Sequence, residues 1–173
     1  MDSLNMIVVE GMDNTGKTSL VNHLATRYSL PVIHSAGPRD MLGSFRWVRA
    51  ALNHHRHHII FDRFALISEA VYGTILRGVD MFENPAGLHL WDTFRRLDPI
   101  IIYCRPHIGV VTNFGDRAQM EGVVDRATQL YSRYEEVMAD RVKTFLPFDF
   151  TVDSDYEKID QAVDLMLLER GYA

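Results

Sequence analysis

Residues 11–18, GMDNTGKT, combine two glycines, a lysine and a threonine in the spacing G-x-x-x-x-G-K-[ST]. Glycine allows backbone conformations in which successive N–H groups point inward and surround an anion. Lys17 adds a charge that can help to hold a transferred phosphoryl group, and the Thr18 hydroxyl can bind the magnesium ion that bridges the terminal phosphates. The spacing therefore predicts a loop that binds ATP together with Mg2+. Its predicted ATP-binding residues are Gly11, Asn14, Thr15, Gly16, Lys17, Thr18 and Ser19.

The segments on either side of this loop have the pattern that such a loop requires. An apolar run over 4–9 predicts a buried strand, and apolar positions at helical spacing over 18–28 predict a helix. Alternating strands and helices along the rest of the chain predict an α/β fold: a five-stranded parallel sheet with helices on both faces and ligands at the carboxyl ends of the strands. The further predicted strands are 31–34, 58–62, 99–103 and 148–152, and the further helices are 41–52, 65–76, 85–96, 123–142 and 156–170, with Gly171 capping the last.

The bulk properties are those of one ordinary globular domain over residues 1–173. The chain is 47% hydrophobic and 24% charged, which suits a single core. A net charge of -5 argues against an extensive nucleic-acid surface, so small nucleotides are the expected partners. The single cysteine, Cys104, requires no oxidising compartment, and no apolar run is long enough to cross a membrane. We therefore expect a cytoplasmic protein, and both a monomer and a homodimer fit the sequence.

A phosphate-binding loop of this kind occurs in kinases, GTPases and motor ATPases, so other residues must separate these classes. The sequence has no Asn-Lys-x-Asp motif for reading guanine, and it is too short for the partner modules of a typical motor or transporter ATPase. These two observations favour a kinase that acts on a small molecule.

A second segment, IIFDRFALISEAVYG at 59–73, indicates which class of small-molecule kinase this is. Together with GMDNTGKTS it resembles the thymidylate kinase family, whose third strand ends in Asp-Arg-Tyr or Asp-Arg-Phe before a helix that carries Ser, Ala and Tyr. The compact chain looks like the nucleotide kinases that phages encode. The resemblance implies the P-loop kinase fold with a short lid, and phosphoryl transfer from ATP with Mg2+ to a deoxynucleoside monophosphate.

The resemblance also implies roles for charged residues around the acceptor. Asp13 would hold the 3′-hydroxyl of the acceptor sugar, and Arg63 and Arg39 would bind the acceptor phosphate. Asp62 would order magnesium-bound water or orient Arg63. Each residue also has a simpler interpretation: Asp13 could cap its own loop, Asp62 and Arg63 could form a structural ion pair, and Arg39 could be a solvated surface residue.

Aromatic residues and a lid complete the predicted site. Phe64 and Tyr72 are candidate walls for the acceptor base, although either could equally be core. The polar stretch 113–122 falls where the family carries its lid, and Arg117 is its best candidate for a cation at the transferred phosphoryl group. Arg105 and Arg126 could contribute instead, or be exposed charges.

Four clustered histidines, His54, His55, His57 and His58, suggest a metal site at first sight. They straddle a predicted helix end and a strand start, so their rings cannot all converge, and surface histidines explain the pattern better.

The sequence thus predicts an ATP-dependent deoxynucleoside monophosphate kinase, with dTMP or a modified pyrimidine nucleotide favoured as acceptor. Two rivals stay open: a deoxynucleoside kinase, in which Asp62 would serve as a general base, and a phage kinase acting on a modified base in DNA.

Overall fold

The computed structural model describes residues 6–35, 40–53, 58–113, 115 and 119–171. Its centre is a sheet of five parallel strands in the order β2-β3-β1-β4-β5, which confirms the predicted fold class. The strands are β1 (Met6–Glu10), β2 (Val32–His34), β3 (Ile59–Asp62), β4 (Ile100–Cys104) and β5 (Leu146–Phe148).

Helices connect successive strands and cover both faces of the sheet. They are α1 (Lys17–Tyr28), α2 (Met41–Asn53), α3 (Ala65–Ser68), α4 (Pro85–Arg96), α5 (Ile108–Val111), α6 (Ala127–Val137) and α7 (Asp155–Glu169). Two π-helical segments, Glu69–Arg77 and Met138–Val142, continue α3 and α6. Gly171 has a φ of 76° after α7, as its predicted capping role requires.

The central strand β1 explains why the core has two halves. Its side chains alternate between the faces, so Met6 and Val8 pack with α2, α3, α4 and α6, whereas Ile7 and Val9 pack with α1 and α7. All five of its residues are buried, as expected of a strand with paired neighbours and covered faces. The carboxyl end of β1 therefore has a fixed position, and the phosphate-binding loop begins there.

The observed elements differ most from the predicted ones in the region after β4. The fifth strand was predicted at 148–152 but ends at Phe148, because the Asp149 carboxylate accepts hydrogen bonds from both the backbone N–H and the hydroxyl of Thr151 and turns the chain. The short helix α5 was not predicted, and its last two residues fall at the start of the stretch 110–122 that was predicted to be a loop. The helix predicted from 123 begins only at Ala127, after a series of turns.

A buried ion pair connects the second π-helical segment to the chain before α4. Arg141 Nη1 lies 2.6 Å from Asp80 Oδ2, and the Asp80 side chain is only 1% exposed. The other oxygen of Asp80 accepts a hydrogen bond from the Phe82 N–H at 2.9 Å. The buried Asp80 carboxyl therefore has a partner at each of its two oxygens.

No helix in the part of the chain that the structure describes is both long enough and apolar enough to span a bilayer.

Candidate active site

The phosphate-binding loop runs from the end of β1 to the start of α1, and its glycines occupy positions that other residues could not. Gly16 has a φ of 81°, and a Cβ there would lie 2.8 Å from the Cβ of Phe150. A Cβ at Gly11 would lie 2.7 Å from the carbonyl oxygen of Cys104. The loop is thus packed tightly between β4 and the turn after β5, which fixes the course of its backbone.

Lys17 is folded back onto this loop. Its Nζ donates to the Met12 carbonyl at 2.6 Å, and the Thr15 hydroxyl donates to the same carbonyl at 2.7 Å. Burial, and to a smaller extent the positive charge of Arg63, lower the pKa of Lys17 to about 8. The lysine is therefore held, poorly solvated, beside the loop that is predicted to receive the phosphates.

Thr18 and Ser19 lie in the first turn of α1, and both are exposed. The twelve-residue helix directs its N-terminal N–H groups and the positive end of its dipole toward this turn. Anion binding at this end of α1 would therefore be favoured by the backbone as well as by Lys17.

Asn14 joins the phosphate-binding loop to the segment that leads into the predicted lid. It adopts a positive φ of 65°, and its side-chain amide donates to the carbonyls of Val110 at 3.0 Å and Asn113 at 2.9 Å. The predicted ATP-binding role of Asn14 thus coincides with a structural contact to the end of α5.

The predicted acceptor residues Asp13, Arg63 and Tyr72 do lie together. Arg63 Nη2 donates to Asp13 Oδ1 at 2.6 Å, and the Tyr72 hydroxyl donates to Asp13 Oδ2 at 3.2 Å. The Arg63 guanidinium also lies 5.0 Å from the centre of the Tyr72 ring. The phosphate-binding loop, the residue after β3 and the first π-helical segment therefore place a carboxylate, a cation and a phenol together.

Asp62 ends β3 on the same side of the sheet and has a partner that the sequence did not suggest. His34, the last residue of β2, places its Nδ1 3.0 Å from Asp62 Oδ2. The Asp62 side chain is 17% exposed, whereas His34 is 67% exposed, so the pair is open to solvent on the histidine side. The negative charge of Asp62 is close enough to favour the protonated form of Lys17.

Two further residues belong to this cluster and were missed in the sequence. Glu10 is the last residue of β1 and is completely buried, and Tyr134 of α6 is completely buried beside it. The Tyr134 hydroxyl donates to Glu10 Oε2 at 3.2 Å and accepts from Arg63 Nη1 at 3.1 Å. The position of Glu10 at the end of an apolar strand was the available signal, but it does not indicate burial, and the helical pattern around Tyr134 indicates packing alone.

Phe64 lies in the core rather than beside the acceptor residues. Its ring has no exposed surface and stacks on Phe94 with the ring centres 4.8 Å apart. The positive φ of 68° at Arg63 redirects the chain, so consecutive side chains point to different surroundings: Arg63 toward Asp13, and Phe64 into the core. An acceptor base could reach Phe64 only after the core rearranged, which corrects the predicted role of its ring.

The predicted lid is described only in part. Arg117 and Arg39 lie outside the described residues, as do His54, His55 and His57. The two alternative lid cations are engaged elsewhere. Arg105 Nε donates to Glu135 Oε1 at 2.7 Å within an ion pair, and Arg126 donates to the carbonyl of Ile75.

A cavity of about 270 Å3 lies at the opposite end of the sheet, between the amino ends of β4 and β5. It is lined by Ile101 and Leu146, among others, and lies apart from the phosphate-binding loop.

Comparison with known proteins gives matches in structure alone. No protein-family model and no curated protein matches the sequence. The YorR protein of Bacillus subtilis, whose crystal structure holds phosphorylated GDP, has 18% sequence identity and a TM-score of 0.75, and the match covers 98% of this chain and 99% of that one. The chain has the P-loop kinase fold. Deoxyadenosine kinase from M. mycoides, in a structure with the products dCMP and a flexible dCDP, is 16% identical with a TM-score of 0.63, over 93% of this chain and 99% of that one. At these identities the likeness establishes the fold, and the chemistry must be argued from the residues.

Proposed function

We propose that this chain transfers the γ-phosphoryl group of ATP to a deoxynucleoside 5′-monophosphate, with dTMP or a modified pyrimidine nucleotide as the favoured acceptor. The observation that carries the proposal is the cluster of Asp13, Arg63 and Tyr72 beside the phosphate-binding loop. A planar guanidinium suits an acceptor phosphate, and a carboxylate next to it suits a sugar hydroxyl. The resemblance to thymidylate kinases supports the same assignment.

The phosphate-binding loop explains how the phosphates of ATP would be bound. Backbone N–H groups and the start of α1 would bind the phosphates, and Lys17 would move from the Met12 carbonyl to the group in transfer. Binding a polyanion raises the pKa of this lysine, so it would be fully charged when the reaction occurs. Catalysis would then come from positioning and from neutralising charge on the phosphoryl oxygens.

Magnesium fits the residues available. The described residues contain no group of three or more His, Cys, Asp or Glu side chains that could hold a metal ion by themselves. Mg2+ retains several waters and is commonly held by one or two protein groups together with substrate phosphates. The exposed Thr18 hydroxyl would be a direct ligand, and Asp62 would hold a bound water. When bound, the ion neutralises charge on the phosphates.

The remaining roles extend the proposal to the whole chain. Residues 113–122 would close over the nucleotides and bring Arg117 to the phosphoryl group, and Arg39 would join Arg63 at the acceptor phosphate. Closure would exclude the water that otherwise hydrolyses ATP. We further propose that the protein acts as a single domain in the cytoplasm, as a monomer or a homodimer.

A deoxynucleoside kinase is the second candidate, and the pair of His34 and Asp62 favours it. A 5′-hydroxyl acceptor benefits from a general base, and the Asp62 carboxylate at the end of β3 could take its proton. The deoxyadenosine kinase among the structural neighbours supports the same alternative. A kinase for a modified base in DNA is a weaker alternative, because the net charge of -5 opposes extensive duplex contacts.

A paired substrate screen distinguishes these functions. Each deoxynucleoside 5′-monophosphate is assayed beside its own deoxynucleoside, with ATP and Mg2+, by following ADP release. We expect turnover with a monophosphate and little with the matching nucleoside. A preference for the nucleoside would reject the first proposal and support the second.

Two variants test the proposed roles of Arg63 and Asp62. Arg63→Ala should raise the KM for the monophosphate by about 10- to 100-fold, as the loss of a charged hydrogen bond does, and leave the KM for ATP nearly unchanged. Arg96→Ala, which removes an exposed arginine of α4, is the matched control and should change neither constant. If the acceptor is a nucleoside, Asp62→Asn should instead lower kcat by about 100-fold or more.

A further inference from the structure

Glu10 stands where three parts of the candidate site meet. It ends β1, directly precedes the phosphate-binding loop, and has no exposed surface. Its Oε1 accepts from the Phe64 N–H at 2.5 Å and from the Ser68 hydroxyl at 3.4 Å. Its Oε2 accepts from the Gly11 N–H at 3.3 Å and from the Tyr134 hydroxyl at 3.2 Å. A buried acidic group with four such partners is costly to maintain unless its contacts serve a purpose.

The contact with Phe64 holds the backbone of the neighbouring Arg63. That arginine has a φ of 68°, a conformation that L-residues other than glycine adopt only when the surroundings impose it. The peptide on one side is fixed by the Arg63 N–H, which donates to the Val9 carbonyl at 3.0 Å. The peptide on the other side is fixed by Glu10, through the Phe64 N–H.

The contact with Tyr134 holds the side chain of the same arginine. Arg63 Nη1 donates to the Tyr134 oxygen at 3.1 Å, and the Tyr134 hydroxyl in turn donates to Glu10. Because the phenol accepts from the guanidinium and donates to the Glu10 side chain, the two hydrogen bonds polarise and strengthen each other. Glu10 therefore acts on both the Arg63 backbone, together with the Val9 carbonyl, and the Arg63 guanidinium, together with Asp13.

We propose that Glu10, acting through the hydroxyl of Tyr134, is a positioning residue that orients Arg63 toward the acceptor phosphate. This inference rests on the proposed function, in which Arg63 binds that phosphate. Glu10 and Tyr134 are both completely buried, so they would act on the acceptor only through Arg63. The arrangement also makes α6, the helix that follows the predicted lid, part of the acceptor-binding apparatus through a single hydroxyl group.

Tyr134→Phe tests the proposal because it removes only that hydroxyl. With dTMP, or the monophosphate that the screen identifies, we expect the acceptor KM to rise by about 5- to 20-fold while the ATP KM stays within about 2-fold. Tyr131→Phe is the matched control: it lies on the same helix, and its hydroxyl donates to the Pro106 carbonyl at 3.1 Å, away from Arg63. It should leave both constants within about 2-fold.

A double-mutant cycle separates positioning from general support of the fold. In an Arg63→Ala background, Tyr134→Phe should no longer change the acceptor KM, because the group that it orients is gone. Glu10→Gln, which keeps the side-chain size, should show the same split between acceptor and ATP constants. It provides a second route if Tyr134→Phe unfolds, and all assays are run below the measured unfolding transition of each variant.

The outcomes distinguish the two levels of the argument. If Arg63→Ala weakens the acceptor but Tyr134→Phe has the same effect with and without Arg63, the positioning role is wrong and the proposed function stands. Equal changes in the ATP and acceptor constants for both Tyr134→Phe and Glu10→Gln would also reject positioning. If Arg63→Ala leaves monophosphate kinetics unchanged, the proposed function fails, and the inference fails with it.

Discussion

Replacing Lys17 by methionine should stabilise the empty protein while it removes activity. Methionine keeps the length and apolar surface of the lysine stem but not the ammonium group. The carbonyl of Met12 would keep a donor, since the Thr15 hydroxyl also binds it at 2.7 Å. The cost of burying the charge is therefore relieved without leaving an obvious unpaired group.

The pKa of Lys17 gives the size and the pH dependence of this effect. Burial lowers the pKa to about 8 from the ordinary value of 10.5, which corresponds to about 3 kcal/mol of destabilisation when the lysine is charged in both states. Below about pH 8, folded and unfolded chains both carry the proton, so the full cost is present. As pH rises from about 8 to 10.5, the folded chain loses its proton first and the cost disappears. The stability gain of Lys17→Met should accordingly reach about 1 to 3 kcal/mol at pH 7 and approach zero above pH 10.5.

Urea unfolding of both proteins at a series of pH values measures this difference directly, because other titrating groups cancel between them. Lys158→Met is the control: that lysine is 66% exposed and pairs with Asp155, so its replacement should change stability by no more than about 0.5 kcal/mol. Turnover of Lys17→Met should fall by at least about 100-fold. A variant that is destabilised at pH 7, or whose stability gain is the same at pH 7 and pH 10.5, would refute the reasoning.

Three further changes test other parts of the structure. Asp80→Asn should lower the free energy of unfolding by about 3 kcal/mol in chemical denaturation, because it removes the buried partner of Arg141 and leaves only the longer contact to Glu83 at 3.7 Å. Asp92→Asn in an exposed pair should change it by less than about 1 kcal/mol. Gly16→Ala should weaken ATP binding by at least about 10-fold in calorimetry, because its added Cβ meets Phe150 and its φ is positive; unchanged affinity would mean that the loop backbone is free to shift. Removing the acceptor 3′-hydroxyl should reduce kcat/KM by about 10- to 100-fold, and Asp13→Asn should narrow that gap; equal losses for both acceptors would limit Asp13 to shaping the loop.

The phosphate-binding loop and the parallel sheet were readable from the sequence because local and long-range signals agree there. The apolar run of β1, the glycines and the following helical periodicity each predict the same structure. The positions of Asp62 and Arg63 followed from the same logic, since parallel strands end at one edge of the sheet.

The sequence misplaced β5 because the alternation of Phe148, Phe150 and Val152 imitates a strand. The turn at Asp149 ends the strand instead, and Phe150 packs against Gly16 of the phosphate-binding loop. The predicted role of Phe64 as a wall for the acceptor base was wrong for a related reason. Its neighbours in sequence do not reveal that the backbone turns at Arg63 and directs the ring into the core. These choices depend on single hydrogen bonds and dihedral angles, which periodicity cannot detect.

The role of Glu10 could not be predicted from the sequence for a third reason. A charged residue at the end of a strand usually faces water, so no local pattern predicts that Glu10 is buried and bonded to Phe64 and Tyr134. Such a contact requires three segments to meet, which only the assembled fold provides.

The side-chain amide of Asn14 has a consequence for the chemical ageing of the protein. Its NH2 group donates to the carbonyl oxygens of Val110, Val111 and Asn113. Deamidation would leave the residue almost unchanged in size but would place a negative charge against carbonyl oxygens that can only accept, within the loop predicted to bind phosphates. One hydrolysed amide would thus both detach that loop from α5 and repel its ligand, so a preparation could lose activity during storage while its fold stays intact.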